Sequence, residues 1–337
     1  MVSVRGDKKK LRTAAMSEKI DRRGFLKKSA ITSAGAAFAL SLEEKVLLAE
    51  EGRREKKAAP EAGGNNLPMG KIGNIQISRL ICGGNLLSGI AHSRDLTYVS
   101  ALLKEYFTDE KIIETLELCE ENGINTAVLR FDEKTLRVLK KHWKRGGKMQ
   151  WIAQIKRQLT DDTKVAVDSG AIGVYIQGDI ADRHIQKGRV DILGETLDFM
   201  KGNKVIAGIG AHSLNVLIDC ETAGLEPDFY MKTLHSGNYW SARRAGQDRD
   251  VTDNPDDNYW SMTPEETIKF MKEVDKPWLA FKVMAAGAIG PREGFSYAFN
   301  NGADFIVAGM FDFQIREDAA IAKEILGKVK RERPWRG

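Results

Sequence analysis

The sequence is poor in cysteine and contains no cysteine-based metal motif. Its three cysteines, Cys82, Cys119 and Cys220, are far apart, and no CxxC pair occurs. An odd number of distant cysteines excludes a complete disulfide framework, and their spacing excludes a zinc site built from cysteines. A domain of this length buries enough apolar surface to be stable without disulfides. We therefore expect three buried thiols, with Cys82 in a strand and the other two in helices.

The body of the chain also lacks an excess of charge. The formal net charge is +5, but residues 1–57 alone contain 15 Lys and Arg and 8 Asp and Glu. These residues account for +7, which leaves −2 for the rest of the chain. Proteins that bind nucleic acid present a basic surface to the phosphates, and a body of this charge provides none. We therefore expect a small-molecule substrate and no nucleic-acid partner.

The basic N-terminal segment resembles an export signal. The segment Asp21–Lys27, with the letters DRRGFLK, is similar to the twin-arginine (Tat) motif, and the apolar stretch Ser29–Leu42 follows it. This stretch is too short and too weakly apolar for a stable membrane span, so residues 1–49 are predicted to be a Tat signal region. The resemblance implies the Tat export machinery as a partner and a periplasmic or otherwise extracytoplasmic location. Leu47–Ala49 matches the small-residue cleavage rule only in part, so an uncleaved segment that contacts the membrane is the alternative.

Residues 67–337 show the alternation of strands and helices that builds a closed barrel. Residues 50–66, in contrast, are charged and then rich in Ala, Pro, Gly and Asn, which predicts a flexible linker. From Leu67 onward, short apolar runs alternate with helical patterns, as in βα units around a parallel sheet. This pattern favours an α/β fold, a (β/α)8 TIM barrel, over an open doubly wound sheet, because no GxGxxG motif follows the first strand. The predicted strands are Arg79–Gly83, Asn125–Arg130, Gln150–Ile155, Gly173–Gln177, Val205–Gly210, Asp228–Lys232, Trp278–Val283 and Asp304–Ala308.

Four segments of this body resemble the aldo/keto reductases. Met69–Leu80 is similar to the β-hairpin that closes the bottom of that family's barrel, and Asn122–Asn125 is similar to its approach to the second strand. Phe281–Gly287 resembles its seventh strand. Val307–Met310 with Gln314–Glu317 resembles its eighth strand and the following helix, where members hold the phosphate end of the nicotinamide cofactor. The resemblance implies an N-terminal hairpin, an oxidoreductase activity and NADP as the cofactor.

The ends of the seventh and eighth strands carry the residues that would contact this cofactor. The glycines there also suit the general barrel site in which backbone amides hold a phosphate, either of a nucleotide or of a substrate. The alternative is that these glycines only permit tight turns. The predicted cofactor-binding residues are Lys282, Gly287, Gly309, Met310 and Arg316.

The catalytic set departs from that of the aldo/keto reductases, which use an Asp, a Tyr, a Lys and a His. Alignment through Gly123–Asn125 puts Val128 where the Asp belongs and Glu133 near the Tyr position. Lys156, at the end of the third strand, fits the family's Lys, whereas the fourth strand ends in Gln177–Asp179 with no His. The resemblance therefore implies an altered catalytic set in which the lysine is retained.

Polar side chains at the strand ends are the candidates for chemistry. Burial at the end of an apolar strand can lower the pKa of Lys156 and make it a base or a Schiff-base nucleophile, unless the lysine pairs with Asp132 or Asp179. His212 and His235 directly follow the fifth and sixth strands. With Asp179 they offer ligands for a divalent metal, but the spacing matches no known motif, and substrate contacts or capping groups are the favoured interpretation. The predicted catalytic residues are Lys156, Asp132, Glu133, Gln177, Asp179 and His212.

The segment Ser236–Met262 is predicted to be a functional loop above the barrel. It contains the letters NYWS twice, at 238–241 and 258–261, around two arginines and a run of acids. Loops of this length are uncommon unless they are functional. Tyr and Trp can stack on a sugar or a planar ligand, and Arg can bind a carboxylate or phosphate; an ordered surface loop or an oligomer contact is the alternative. The predicted substrate-binding residues are His235, Tyr239, Trp240 and Arg243.

Three functions are compatible with these patterns. The favoured one is an exported, aldo/keto reductase-like oxidoreductase with an altered catalytic set. The second is a TIM-barrel lyase, isomerase or hydrolase that acts on a carbohydrate or a small acid. The third is a catalytically silent barrel that binds a ligand beneath the aromatic loop. The resemblance keeps the first ahead, although a barrel of this kind supports many chemistries.

Overall fold

The structure is a computed structural model that describes residues 67–94, 96–244 and 259–337. The predicted Tat signal (1–49) and linker (50–66) lie outside the described residues, as do residues 245–258 of the long loop. In the described part of the chain, no helix is both long enough and apolar enough to cross a membrane.

A closed barrel of eight parallel strands forms the body of the protein, which confirms the predicted fold. Its strands are β3 (Leu80–Gly83), β4 (Thr126–Arg130), β5 (Gln150–Ile155), β6 (Gly173–Ile176), β7 (Ile206–Ala211), β8 (Phe229–Thr233), β9 (Trp278–Phe281) and β10 (Phe305–Ala308). They pair in the order β10-β3-β4-β5-β6-β7-β8-β9, so that the last strand closes onto the first. Each strand lies within two residues of its predicted bounds, because each is a short apolar run between polar segments.

An N-terminal hairpin precedes the barrel, as the resemblance implied. Strands β1 (Met69–Ile72) and β2 (Ile75–Ser78) pair antiparallel, and Gly73, with a φ of +58°, makes the turn between them. A φ in this region favours glycine because it has no Cβ to clash with the backbone. Ile72 and Ile77 are fully buried against the interior of the barrel, so the hairpin closes its lower end.

Ten helices surround the barrel in the described part of the chain. They are α1 (Tyr98–Tyr106), α2 (Asp109–Glu121), α3 (Glu133–Lys144), α4 (Leu159–Asp168), α5 (Gly178–Gln186), α6 (Val190–Gly202), α7 (Leu214–Thr222), α8 (Pro264–Glu273), α9 (Pro291–Asn300) and α10 (Ile315–Leu326). Two of the helices begin with residues that favour a helix start: Thr108 accepts a hydrogen bond from the Lys111 amide at the start of α2, and Pro264 is the first residue of α8. Both features suit a first turn, where the amides have no partner within the helix.

Two apolar clusters follow from the alternation of side chains along the strands. Ile152, Tyr175 and Val307 belong to a small cluster inside the barrel, whereas their neighbours along the strands belong to a larger cluster between strands and helices. The three cysteines are free and buried, with Cys82 in β3, Cys119 in α2 and Cys220 in α7, as predicted. Because inward positions recur every second residue, the same alternation decides which strand-end side chains reach the mouth of the barrel.

Charged groups close the amino end of the barrel, opposite the mouth. Asp304 is fully buried before β10 and forms ion pairs with Arg331 and Arg333. The Asp304 carboxylate also accepts a hydrogen bond from the Trp278 amide at the start of β9, at 2.9 Å. The Arg79 guanidinium lies 3.6 Å from the ring centroid of Trp335 and donates to the Asp304 carbonyl oxygen. These contacts tie the C-terminal segment to the strands and leave the other end for a ligand.

Candidate active site

The carboxyl ends of the barrel strands open into a cavity of about 590 Å³. A volume of this size is typical of sites for small molecules and cofactors. The residues that face inward at this end line the cavity; in order around the barrel they are Gly83, Arg130, Lys156, Gln177, His212, Met231, Phe281 and Gly309. One side of the mouth is therefore polar, from Arg130 to His212, and the opposite side is apolar or without side chains, from Phe281 to Gly83.

His212 and Asp182 form a buried pair in the polar side of the mouth, the polar wall, which runs from Arg130 to His212. His212 follows β7, and its Nδ1 atom lies 2.8 Å from Oδ2 of Asp182, which is 1% exposed in α5. The same carboxylate accepts hydrogen bonds from the backbone amides of His212 and Ser213. Gly178 makes room for this packing, because a Cβ there would lie 3.0 Å from Cε1 and Nδ1 of the His212 ring. Asp182 therefore fixes both the backbone and the ring of His212.

The environment of His212 favours a neutral imidazole. Burial, together with the nearby cations of Lys282 and Lys232, lowers the pKa of His212 from 6.5 to about 4, although the Asp182 carboxylate acts in the opposite direction. A neutral ring that donates from Nδ1 to a carboxylate has its lone pair on Nε2. His212 lines the cavity, and Nε2 has no hydrogen-bond partner among the described residues. The pair therefore offers a proton acceptor to a ligand.

Two glutamines and a tyrosine form the polar floor beside His212. The Gln154 side-chain amide donates to the Tyr175 hydroxyl at 2.7 Å, and burial raises the pKa of that hydroxyl above its usual value. Gln177 lies two residues after Tyr175, just beyond the end of β6 toward the mouth, and faces the same side. Its Oε1 atom is buried and has no hydrogen-bond partner within the described part of the chain. A buried acceptor of this kind is usually paired, so a ligand hydroxyl is a suitable partner for it.

A strained turn follows β9 on the apolar side. Lys282, Ala285 and Ala286 have φ values of 58°, 45° and 54°, in the left-handed region that residues with a Cβ rarely occupy. Each such residue costs of the order of 1–3 kcal/mol, and such strain concentrates at functional sites. Lys282, Ala286 and Gly287 line the cavity. The structure thus places two predicted cofactor-binding residues, Lys282 and Gly287, at the cavity.

His235 fastens this turn to the long loop instead of lining the cavity. Its Nδ1 atom lies 3.0 Å from the Lys282 carbonyl oxygen, and its Nε2 atom accepts from the Ser261 amide at 3.1 Å and faces the Tyr239 hydroxyl at 3.3 Å. Burial lowers the pKa of His235 to about 4, although its hydrogen bond to the Lys282 carbonyl acts in the opposite direction. Both ring nitrogens are occupied by protein groups, so His235 is a positioning residue and not the substrate contact that the sequence predicted.

The metal alternative is not supported. Among the described residues, no three His, Cys, Asp or Glu side chains lie close enough together to hold a metal ion. His212 is engaged by Asp182, His235 by the loop, and Asp179 by Arg183 at 3.1 Å. The three residues proposed as ligands therefore serve other contacts.

The structure brings together four of the six predicted catalytic residues. Lys156, Gln177, Asp179 and His212 line the cavity. Asp132 and Glu133 do not line it: the Asp132 carboxylate accepts from the Thr135 amide at 2.8 Å as the cap of α3, and Glu133 is exposed in the first turn of that helix. Both lie just beyond β4, where the chain has already turned into the helix. Lys156 is exposed at the end of β5 and is not the desolvated amine that a Schiff-base nucleophile requires.

The predicted residues of the long loop lie outside the cavity, whereas a residue of the second NYWS copy lines it. Trp240 is 82% exposed, Arg243 is exposed, and Tyr239 contacts His235. Tyr259 lines the cavity instead, and its hydroxyl lies 2.9 Å from Oγ of Ser241. The loop thus supplies one aromatic wall, as predicted, but through a different tyrosine. The loop between β3 and α1 also lines the cavity, through residues 84–86 and 90–92.

The start of α10 contains the remaining cofactor positions. Gly309 lines the cavity, and so does Gln314, the residue that precedes α10. No side chain caps the helix, and its first turn contains the acids Glu317 and Asp318 together with Arg316. Arg316 is exposed in its first turn, but Met310 is buried and does not line the cavity. The structure therefore brings Gly309 to the cavity, whereas Arg316 can reach only its outer edge.

Sequence reasoning missed Arg130, Gln154, Tyr175 and Asp182. Gln154 and Tyr175 carry a usable signal, because residues two apart along a strand face the same side: Gln154 with Lys156, and Tyr175 with Gln177. Asp182 carries no such signal. It lies inside a helix, 30 residues from the histidine that it contacts.

Comparison with known proteins supports the fold. No protein-family model matches the chain, and no curated protein matches it. A solved structure described as an aldo-keto reductase from Pseudomonas aeruginosa is 15% identical, with a TM-score of 0.53, over 77% of this chain and 94% of its own. A second structure of that description is 14% identical, with a TM-score of 0.52, over 79% of this chain and 100% of its own. A structure of a Gox0644 mutant in complex with NADPH is 9% identical, over 76% of this chain and 86% of its own. Its TM-score, 0.49, is lower than those of the two Pseudomonas structures. The barrel is thus like that of the aldo-keto reductases.

Proposed function

We propose that the barrel mouth is the active site of a nicotinamide-dependent oxidoreductase that interconverts a hydroxyl and a carbonyl group. The observation that carries this proposal is the pair of His212 and Asp182, which presents a neutral imidazole nitrogen to the cavity. The likeness of the barrel to aldo-keto reductases supports the oxidoreductase class. In this proposal the pair replaces the tyrosine of that family, for which the sequence offers no match.

The residues of the apolar side and of the adjoining helix suit NADP. Gly83, Val307 and Gly309 place no polar side chain on this part of the lining, which suits contact with a nicotinamide ring. The uncapped amides at the start of α10, with Arg316 in its first turn, suit a phosphate through the helix dipole and the guanidinium. When bound there, NADP supplies the acceptor or donor of hydride. Gly309 and the amides of α10 would hold it, with Lys282 and Gly287 at the edge of the same cavity.

His212 is suited to accept a proton rather than to donate one. Because its pKa is lowered to about 4, the ring is neutral at pH 7, and Nε2 can take the proton of a substrate hydroxyl. The Asp182 carboxylate, bonded to Nδ1, stabilises the imidazolium that forms. The ammonium of Lys282, on the same cavity, favours negative charge on the substrate oxygen. The site therefore favours oxidation of an alcohol near neutral pH, and in the reverse direction the imidazolium returns the proton.

The test is oxidation of a panel of short hydroxy compounds with NADP, followed by the absorbance of the reduced nicotinamide. His212→Gln and Asp182→Asn are each expected to lower the turnover rate roughly 10²- to 10⁴-fold, because general base catalysis contributes about that much. His184→Gln, in the same helix as Asp182 but outside the cavity, is the matched control and should retain the wild-type rate. Wild-type turnover by both His212→Gln and Asp182→Asn would remove the basis of the proposal.

We further propose that the protein is exported by the Tat pathway and acts outside the cytoplasm. Arg22 and Arg23, the apolar stretch after them, and the nearly neutral body support this proposal. Replacement of both arginines by lysine is expected to retain the protein in the cytoplasm, as measured by fractionation of the expressing cells. Export of that variant at the wild-type level would contradict the proposal.

A further inference from the structure

The charged side chains that line the cavity are mostly cations. Arg130, Lys156 and Lys282 line it, and Asp179 is the one carboxylate among the described lining residues. The Asp179 carboxylate is already paired with Arg183, at 3.1 Å. The cavity therefore has a net positive lining, although the barrel domain as a whole has almost no net charge.

Arg130 and Lys156 lie side by side in the polar wall. Arg130 ends β4, and its Cα lies opposite that of Gln154 on the neighbouring strand β5. Lys156 lies two residues beyond Gln154 and so faces the same inward side. In the part of the chain that the structure describes, neither side chain forms an ion pair with a carboxylate, whereas Lys111, Arg137 and Arg183 do. Two neighbouring cations without a protein partner thus converge on one side of the mouth.

Cations in this arrangement suit an anionic group on a ligand. The guanidinium of arginine forms paired hydrogen bonds to a carboxylate or phosphate, and the lysine ammonium adds a point charge beside it. The loss of one such contact lowers affinity roughly 10- to 100-fold.

The distance between these cations and His212 sets the size of the substrate. Around the barrel, Lys156 at the end of β5 is two strands from His212 at the end of β7, and Arg130 at the end of β4 is three strands from it; neighbouring strands are about 4.8 Å apart. The long side chains of Arg130 and Lys156 shorten that span, so one small molecule can place an anionic group on them and a hydroxyl at His212. Gln177, with its unpaired Oε1 atom, lies between them on β6 and can accept from a second hydroxyl.

We infer that the substrate is a short hydroxy compound with a carboxylate or a phosphate, and that Arg130 and Lys156 bind this anionic group. The inference rests on the proposed function for the role of the hydroxyl, but the binding of the anion is independent of turnover. Arg130 and Lys156 would then select anionic substrates over neutral ones. The resemblance to aldo/keto reductases does not imply this role for either side chain.

The test measures equilibrium binding of two matched pairs of probes without any nicotinamide. The pairs are lactate with lactamide, and glycerol 3-phosphate with glycerol; saturation-transfer NMR of the ligand detects weak binding. One anion of a pair is expected to bind at least about tenfold more tightly than its neutral partner. The pair that shows this preference identifies the anionic group as a carboxylate or a phosphate.

Variants of the two cations connect the preference to the site. Arg130→Met and Lys156→Met are each expected to weaken binding of the preferred anion roughly 10- to 100-fold and to leave the neutral probe unchanged. Lys164→Met, which removes a cation from the exposed face of α4 after the same strand, is the matched control and should bind as the wild type does. If Arg130→Met does not fold, Arg130→Lys replaces it in the test. This variant keeps the positive charge but loses the paired hydrogen bonds of the guanidinium, so an intermediate loss of affinity for the anion is expected.

Two results overturn the inference: equal binding of the charged and neutral probes by the wild type, or an anion preference that survives in both methionine variants. The outcome is separable from that of the proposed function. Anion binding through Arg130 and Lys156 without any oxidation would refute the proposed function alone. Oxidation of neutral alcohols as fast as of their anionic counterparts would refute this inference alone.

Discussion

Two buried histidines are expected to make the folded barrel sensitive to mild acid. His212 is 8% exposed and His235 is 1% exposed, and in the folded protein the pKa of each falls from 6.5 to about 4. The unfolded chain takes up these protons at the ordinary pKa. Between pH 6.5 and about 4 the unfolded state therefore binds more protons than the folded state, and the free energy of unfolding falls as the pH falls.

The size of this effect follows from the two pKa values. At about pH 5, each histidine lowers the free energy of unfolding by about 2 kcal/mol relative to pH 7.5, and the two together by about 4 kcal/mol. Below pH 4 the loss approaches its limit of roughly 3 kcal/mol for each ring. A change of this size is a large fraction of the stability of a typical domain.

Asp318 is expected to oppose the histidines. This residue of α10 is 2% exposed, its Oδ2 atom has no hydrogen-bond partner among the described residues, and burial raises its pKa from 3.8 to about 7. The folded state therefore binds a proton below pH 7 that the unfolded state binds only below 3.8, which stabilises the fold by about 2.5 kcal/mol at pH 5. The wild type should then lose only about 1.5 kcal/mol from these three groups.

Urea unfolding at pH 7.5 and at pH 5 separates the contributions. Asp318→Asn removes the opposing group, so its loss of stability between the two pH values should rise to about 4 kcal/mol. His235→Gln in the Asp318→Asn background should reduce that loss to about 2 kcal/mol. The reasoning is refuted if Asp318→Asn shows the same pH dependence as the wild type, or if His235→Gln does not reduce it.

Two further substitutions test the packing of the barrel, both by urea unfolding at neutral pH. Asp304→Asn is expected to destabilise the protein by about 3–5 kcal/mol, because the buried guanidiniums of Arg331 and Arg333 lose their carboxylate partner. A loss of stability under about 1 kcal/mol would contradict this role of Asp304. Gly210→Ala is expected to cost about 1–3 kcal/mol, since its Cβ would lie 2.8 Å from the Gly178 amide nitrogen, whereas Gly202→Ala meets no atom within 4 Å and is the control. If the two alanine variants are equally stable, the close approach of Gly210 to the backbone of Gly178 does not contribute to the stability of the barrel.

The barrel itself could be predicted from the sequence because its signals are local. Each strand is a short apolar run with polar segments on both sides, and helix starts such as Thr108 carry their own capping groups. The site is less predictable because it depends on contacts between distant segments. Asp132 and Asp182 both follow a strand closely, yet the first caps its own helix and the second reaches back to the next strand end. Only the packing of α5 against β7 distinguishes them.

The long loop shows the same limit. Its repeated NYWS letters predicted aromatic residues at the mouth, and an aromatic residue is there. The sequence analysis named Tyr239, whereas Tyr259 lines the cavity, because the outcome depends on how His235 connects the loop to the turn after β9. The inward-facing pairs along β5 and β6, in contrast, were readable from the two-residue period alone.

The most direct test of the central claim is a titration of the purified protein with NADPH, followed by the fluorescence of the nicotinamide. An oxidoreductase that holds NADP in this cavity should bind NADPH saturably at one site, at micromolar concentrations or below. Weaker binding is also expected of Arg316→Met, which loses a cation in the first turn of α10. No binding at about millimolar NADPH would contradict the oxidoreductase proposal.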